Sequence, residues 1–225
     1  MMDMCSIIKT ECADIKDILG EPYCIYVLKQ GYCLAEPDGS FRADGTISLL
    51  IGPKIILVDT GGPWDRDFLL SKLTEKGLTP DDVSLVICTH GHSDHVGNLG
   101  LFSEATIVVG SDISQGDRYL PNQLAEGLPY PIDDHVAIIP TAGHTGRDVS
   151  VLVKGTAVGK VLVAGDLFEC CTDEHSWKEL SENPEVQEVS RQAALSIADV
   201  IIPGHGPLFK VFRETPKTNE VLGSV

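Results

Sequence analysis

Four side chains able to hold a metal ion fall within six residues, His90, His92, Asp94 and His95, in the segment THGHSDHVGN (89–98). So many imidazoles in one turn are difficult to justify as structure. Zinc takes nitrogen and carboxylate oxygen donors at ~2.0–2.2 Å, and a single strand-to-helix loop can present several of them. In a locally extended piece His90 and His92 point the same way, while Asp94 and His95, entering a helix, aim at a neighbouring position. The expected cofactor is a pair of divalent ions, zinc first, with iron and manganese as alternatives because imidazole and carboxylate suit several metals.

Three more candidate ligands sit where an apolar strand meets a turn of small residues: His144 in Gly143-His144-Thr145, Asp166 after Gly165, and His205 between Gly204 and Gly206. Glycine permits the tight turns that expose such a side chain to a pocket. Asp59, in VDTG (58–61), ends a strand upstream of the cluster and is placed to accept hydrogen bonds from the ligand loop, fixing its geometry. The two remaining histidines, His135 and His175, lack such settings and read as surface residues.

The elements that must position these groups follow from periodicity and turn signals. Residues 23–33, 46–51 and 54–58 read as strands separated by Asp-Gly and Gly-Pro turns, and 65–76 as an amphipathic helix with Asp65 at its start and Gly77 past its end. The apolar run 84–88 reads as a buried strand delivering the histidine cluster from its C-terminal end. Further strands are predicted over 106–109, 136–140, 150–153, 157–164 and 200–203, with a second helix over 184–197. Residues 112–134, rich in Pro, Gly and Asn without clear period, read as a long loop of the kind that often serves as a lid. Strand-rich halves each followed by helices point to an α+β fold, two sheets face to face with helices outside.

At 225 residues the chain suits a single domain over 1–225, with 1–20 expected as a loosely ordered N-terminal segment. Hydrophobic residues at 43% and charged residues at 22% place it among ordinary globular proteins. Seventeen Lys+Arg against 33 Asp+Glu give a formal charge of −16, a handicap for binding polyanions or anionic membranes that bound cations would locally reverse. Seven cysteines without a CxxC pair, no signal-like start and no run long enough to span a bilayer imply a cytosolic protein with nuclear access open and no membrane partner. The adjacent Cys170 and Cys171 stand out because they follow the candidate ligand Asp166.

The ordered set VDTG (58–61), THGHSDHVGN (89–98), TAGHTG (141–146), AGD (164–166) and PGHG (203–206) resembles the five-motif signature of the metallo-β-lactamase superfamily. The resemblance implies an αββα sandwich with a metal site along one edge of the packed sheets. It further implies that His90, His92 and His144 hold one metal, that Asp94, His95 and His205 hold the other, and that Asp166 bridges both. Asp94 would also orient the attacking water or take its proton. The segments VDTGGPW (58–64), THGHSDHVGNLGLF (89–102), GDRYLP (116–121), RDVSV (147–151) and VIIPGHGP (200–207) resemble a branch regarded as endoribonucleases that process histone pre-mRNA 3′ ends.

That resemblance implies a two-metal hydrolase acting on RNA with a metal-bound hydroxide. Against RNA stand the charge and the lack of any long basic run, so an accessory protein is the expected source of grip. Thioester hydrolysis of the glyoxalase II kind and an iron-dependent sulfur dioxygenase stay open as alternatives. Trp64, Phe102, Arg118, Tyr119, Arg147 and Trp177 are candidates for pocket or lid contacts, and a homodimer is the expectation for a soluble enzyme.

Overall fold

A computed structural model describes residues 7–214. Within them the strands form two large mixed sheets and one small hairpin. The seven-stranded sheet runs, edge to edge, Ile7–Cys12, Phe209–Glu214, Val200–Pro203, Gly159–Gly165, Val149–Thr156, Val136–Pro140 and Tyr130–Pro131. The eight-stranded sheet runs Arg118–Tyr119, Asp112–Gln115, Thr106–Val109, Leu85–Cys88, Ile55–Val58, Ile47–Ile51, Cys24–Lys29 and Asp17–Ile18. The hairpin pairs Tyr32–Ala35 with Phe41–Asp44. The described residues also form three α-helices: α1 (Arg66–Glu75), the short α2 (Ser93–Val96) and α3 (Pro184–Ile197).

Period-two patterning assigns the layers. Val149, Val151 and Val153, with Val161, Val163, Val200 and Ile202, point from the seven-stranded sheet into a buried cluster shared with Ile25, Leu50, Ile56, Val58 and Ile87 of the other. The alternate residues face outward onto helices. Leu49, Leu57 and Val86 meet Leu69 and Leu73 of α1, one helical turn apart, and Leu162, Ala164 and Ile201 meet Ala194 near the end of α3. Each sheet therefore buries both faces, and the order of layers is helix, sheet, sheet, helix, the αββα sandwich.

Parallel pairing decides where chemistry can sit. Ile55–Val58, Leu85–Cys88 and Thr106–Val109 run parallel, as do Gly159–Gly165 and Val200–Pro203. Asp59, the histidine cluster, Asp166 and His205 all leave these strands at their C-terminal ends, the usual place for a site in such sheets. Val149 N donates to Thr89 O at 2.9 Å and Thr46 N to Gly204 O at 2.8 Å, tying the two sheets together along that edge.

Three expectations are corrected. Residues 112–134 are not one loop: they contain Asp112–Gln115, Arg118–Tyr119 and Tyr130–Pro131, strands too short for a period to show. Residues 7–12, expected to be loose with the rest of 1–20, form an edge strand paired antiparallel with Phe209–Glu214, and residues 1–6 lie outside the described residues. The apolar stretch 23–33 is two strands, because the chain turns at Gln30 and Gly31 to start the hairpin. A Cβ at Gly31 would collide with the carbonyl of Gly204, so only glycine lets the turn pass beneath that loop.

Leu50, fully buried between the sheets, has no room to be shortened without leaving a void. Leu50→Ala is expected to cost about 2–5 kcal/mol in urea denaturation, and a loss under about 1 kcal/mol would mean the inter-sheet core is not packed as described.

Candidate metal centre

Each ligand side chain is delivered by the element that precedes it. Leu85–Cys88, buried throughout, ends in Thr89; His90 and His92 follow on an extended loop, with Asp94 and His95 in α2. His144 lies in the 141–148 turn, where Asp148 accepts from Gly143 N at 3.1 Å and from Thr145 N at 2.6 Å, one residue on either side. Asp166 follows Gly165, whose φ of +57° suits glycine and where a Cβ would strike Thr89. From α3 the fully buried Gln187 donates to Asp166 O at 2.9 Å, fixing that backbone. His205 lies between Gly204 and Gly206, and a Cβ at Gly204 would collide with Asp166 Oδ1.

The seven candidates converge. His92 Nδ1 lies 2.9 Å from His90 Nε2 and 3.1 Å from His144 Nε2, and Asp166 Oδ2 lies 3.4 and 3.3 Å from the same two Nε2 atoms. A tetrahedron of donors ~2.0–2.1 Å from a central ion has edges of ~3.3–3.4 Å, so these four atoms outline one cation position. His95 Nε2 is 3.2 Å from Asp166 Oδ1 and 3.7 Å from Asp94 Oδ2, and His205 Nε2 is 3.1 Å from Asp166 Oδ2 and 3.8 Å from Asp94 Oδ2, outlining a second. Both oxygens of Asp166 face imidazole nitrogens, Oδ1 that of His95 and Oδ2 those of His90, His144 and His205.

The donors fit metal ions better than they fit each other. His95 Nε2 and Asp166 Oδ1 are buried without a hydrogen-bond partner, an arrangement that normally costs free energy. Burial disfavours the charged form of His90, and with His95 beside it holds its pKa well below the usual imidazole range. Burial also opposes charge on His95 and His205, but the Asp166 carboxylate outweighs it, holding His95 well above that range and lifting His205 to about 9. For Asp166 the same contest runs in reverse: burial is overcome by the imidazoles of His95, His205 and His90, which keep its carboxyl far below the carboxylate range. Five ring nitrogens and two carboxylates suit zinc, and equally iron or manganese.

A layer of partners aims the rings. Asp59, 2% exposed, accepts from Thr89 N at 2.7 Å and sits 2.9 Å from His95 Nδ1. Thr89 Oγ1 stands 3.1 Å from His90 Nδ1, and the backbone oxygen of Asp44 is 3.2 Å from His205 Nδ1. Lys29 pairs with the carboxylates of both Asp44 and Asp65, and Trp64 Nε1 donates to Asp44 at 3.0 Å, so the base of the hairpin is locked beside His205. Sequence spacing singled out Asp59 but missed Thr89, Asp44 and Asp148; of these only Asp148, at a turn-to-strand junction, carries a readable signal.

Sequence reasoning also missed Glu169, three residues after Asp166. It is 4% exposed, both its oxygens lack partners, and they stand 3.8 Å from His144 Nδ1 and from His205 Nε2. Burial, then the neighbouring Asp166, pushes its carboxyl up to about 8. Among the pocket candidates, Phe102 and Trp177 are buried core residues, Trp177 with the Arg191 guanidinium 4.5 Å from its ring. Arg118, Tyr119 and Arg147 are exposed and do not line the site cavities, and His135 and His175 stay outside the cluster.

The centre opens to solvent on the side of His92 and Asp94, under Phe41 of the hairpin. Beside it lies a cleft of about 270 Å³ lined by Phe41, Cys33, Leu180, Glu169, Asp173 and Glu179 among others, with no Lys or Arg. Its walls are apolar and acidic.

Because a cation needs neutral imidazoles, and His205 in the metal-free site stays protonated below about 9, zinc uptake at pH 7 must displace protons. Affinity is therefore expected to fall as pH drops from 9 to 6. Calorimetric titration in two buffers of different ionisation enthalpy should show about one to two protons released per chain, and zinc binding without proton release would contradict the assignment.

Comparison with known proteins fits this geometry. The sequence model of the metallo-beta-lactamase superfamily matches residues 45–159. Metallo-beta-lactamase domain-containing protein 1 of Xenopus laevis is 52% identical over 198 residues, covering 87% of this chain and 85% of that one. The Homo sapiens protein of the same name is 48% identical over 227 residues, with the same coverages. Among solved structures, an N-acyl homoserine lactone hydrolase with the product N-hexanoyl-L-homoserine at its catalytic metal centre superposes with a TM-score of 0.57 at 20% identity, over 86% of this chain and 94% of that one. With the sandwich, the strand-end ligands and the matched sequence in agreement, this chain is a member of the metallo-beta-lactamase superfamily and a metallo-hydrolase by descent.

Proposed function

We propose that this protein is an endoribonuclease that hydrolyses RNA phosphodiester bonds, acting by resemblance on histone pre-mRNA 3′ ends. The observation that carries the reading is the pair of donor sets on either side of Asp166, whose oxygens lie 3.1–3.4 Å from His90, His144, His95 and His205, open to solvent beside His92 and Asp94. Two cations there would supply Lewis acidity at both the entering and the leaving oxygen and lower the pKa of a water to near neutrality. The chain's own residues do the rest. His90, His92 and His144 orient one position, Asp94, His95 and His205 the other, and Asp166 fixes the spacing between them. Asp94 is the least buried of the carboxylates in the centre, at 14% side-chain exposure, and stands at the mouth, where it takes the proton of the attacking water. Phe41, 52% exposed, and Trp64, 63% exposed, offer faces on which bases stack.

The acidic cleft next to the centre does not grip phosphates, so in this reading an accessory protein or a second copy of the chain supplies the contacts to the RNA backbone. The enzyme works in the cytosol, with access to the nucleus where pre-mRNA is made. A second reading, carbonyl attack on a thioester or related acyl substrate, is favoured by that same cleft, whose walls suit a small molecule that carries no phosphate chain.

One assay panel separates them. Metal-loaded protein is offered single-stranded RNA, a small phosphodiester, S-lactoylglutathione and a β-lactam, each repeated with His92→Ala. RNA or phosphodiester turnover is expected, reduced at least about 100-fold by the substitution, since even partners of metal ligands are worth 10–100-fold. Fast thioester cleavage with RNA untouched would replace the first reading by the second.

A further inference from the structure

Each imidazole that serves a metal through one nitrogen must have the other nitrogen held, or the ring can flip and present a hydrogen where a lone pair is needed. Three of the four buried ligand rings meet this requirement: His90 through Thr89 Oγ1, His95 through Asp59, and His205 through the Asp44 carbonyl. His144 does not. Its Nε2 faces His92 and Asp166, and its Nδ1 is buried without a partner. Glu169 Oε1, also buried and unpartnered, stands 3.8 Å from that nitrogen. A buried donor and a buried acceptor, both orphaned and facing each other, need a closure of about 0.8–1 Å to reach hydrogen-bond length.

The surroundings hold Glu169 in place. Leu167 and Phe168, just before it, are buried against α3 and the outer face of the seven-stranded sheet, and its own carbonyl accepts from His205 N at 2.8 Å. These contacts pin the backbone so that the carboxylate lies between the cluster and the adjoining cleft, within reach of His144 and His205. Its second oxygen stands 3.8 Å from His205 Nε2, the nitrogen that faces the other cation position. A carboxylate buried this deeply without a partner is a standing cost that a chain bears where something binds beside it.

We propose that Glu169 is a positioning residue of the metal centre: Oε1 accepts the Nδ1 hydrogen of His144, leaving the Nε2 lone pair for the cation, and Oε2 sets a negative charge beside the position served by His205. This rests on the two-cation reading of the site and is independent of whether RNA is the substrate.

The test compares Glu169→Ala and Glu169→Gln with the parent chain, each stripped and reloaded with zinc or cobalt. In Glu169→Ala, zinc affinity at one position is expected to drop about 10–100-fold by chelator competition, and Glu169→Gln, which keeps an oxygen acceptor, to recover part of the loss. In proton NMR of the cobalt-loaded protein, one exchangeable, paramagnetically shifted N–H signal should disappear in Glu169→Ala and persist in Glu169→Gln. Metal-free, both variants should unfold at temperatures no lower than the parent, because a buried carboxyl group without a hydrogen-bond partner has been removed. Unchanged affinity with every N–H signal retained would overturn the proposal, as would metal-free variants that lose stability in step with metal. A parent chain that takes up no zinc or cobalt would remove the two-cation reading along with it.

Discussion

The Asp166 carboxylate, buried with both oxygens turned to the nitrogens of four imidazoles, is the constraint on which the rest of the structure turns. A carboxylate there needs positive charge on every side, and without ions it draws that charge from protonated rings. Two divalent cations satisfy the same demand while freeing the rings to be neutral ligands. The surrounding layer makes sense in those terms: Asp59, Thr89 and the Asp44 carbonyl each hold a ring so that its lone pair meets the carboxylate's oxygens at cation distance. The centre is built to be poor as a hydrogen-bonded protein interior and good as a binding site, the trade expected where function overrides local stability.

How much of this could be read from sequence depended on whether the information was local. The cluster 89–98 was legible because four candidate ligands lie within six residues, and Asp166 and His205 because each follows a buried apolar strand and is flanked by glycine. The helices were legible where apolar spacing ran for several turns, as at Leu69 and Leu73. The partners of the rings were not. Thr89 looks like any strand-end threonine, Asp44 acts through its backbone oxygen, and Glu169 becomes notable only once folding brings His144 and His205 against it. The strands within 112–134 escaped for a different reason: at two to four residues, at or next to sheet edges, they bury too little to impose a period. Phe102 and Trp177 misled because a large aromatic near a motif reads the same whether it lines a pocket or supports one.

Electrostatics sharpen the question of substrate. The chain carries a formal −16, and the cleft beside the centre adds Glu169, Asp173 and Glu179 without a Lys or Arg. Bound cations would make the mouth at His92 and Asp94 a local positive island in a negative field, focusing an anion onto one spot rather than along a track. Such a field suits a short engagement, one phosphodiester or one acyl group at a time, with the hairpin aromatics supplying contact area that does not depend on charge.

The two sheets contribute unequally yet jointly to each cation position. His90 and His92, or Asp94 and His95, come from the loop after Leu85–Cys88 in the eight-stranded sheet, whereas His144, Asp166 and His205 follow strands of the seven-stranded one. Each ion would thus be a rivet through both halves of the sandwich, at the edge already tied by Val149 to Thr89 and Thr46 to Gly204. Prising the layers apart would then mean surrendering the ions first, so resistance to unfolding would rise with free metal by the logarithm of its concentration over the dissociation constant. A fold stapled this way is firm when supplied with metal and loosens along one seam when starved of it.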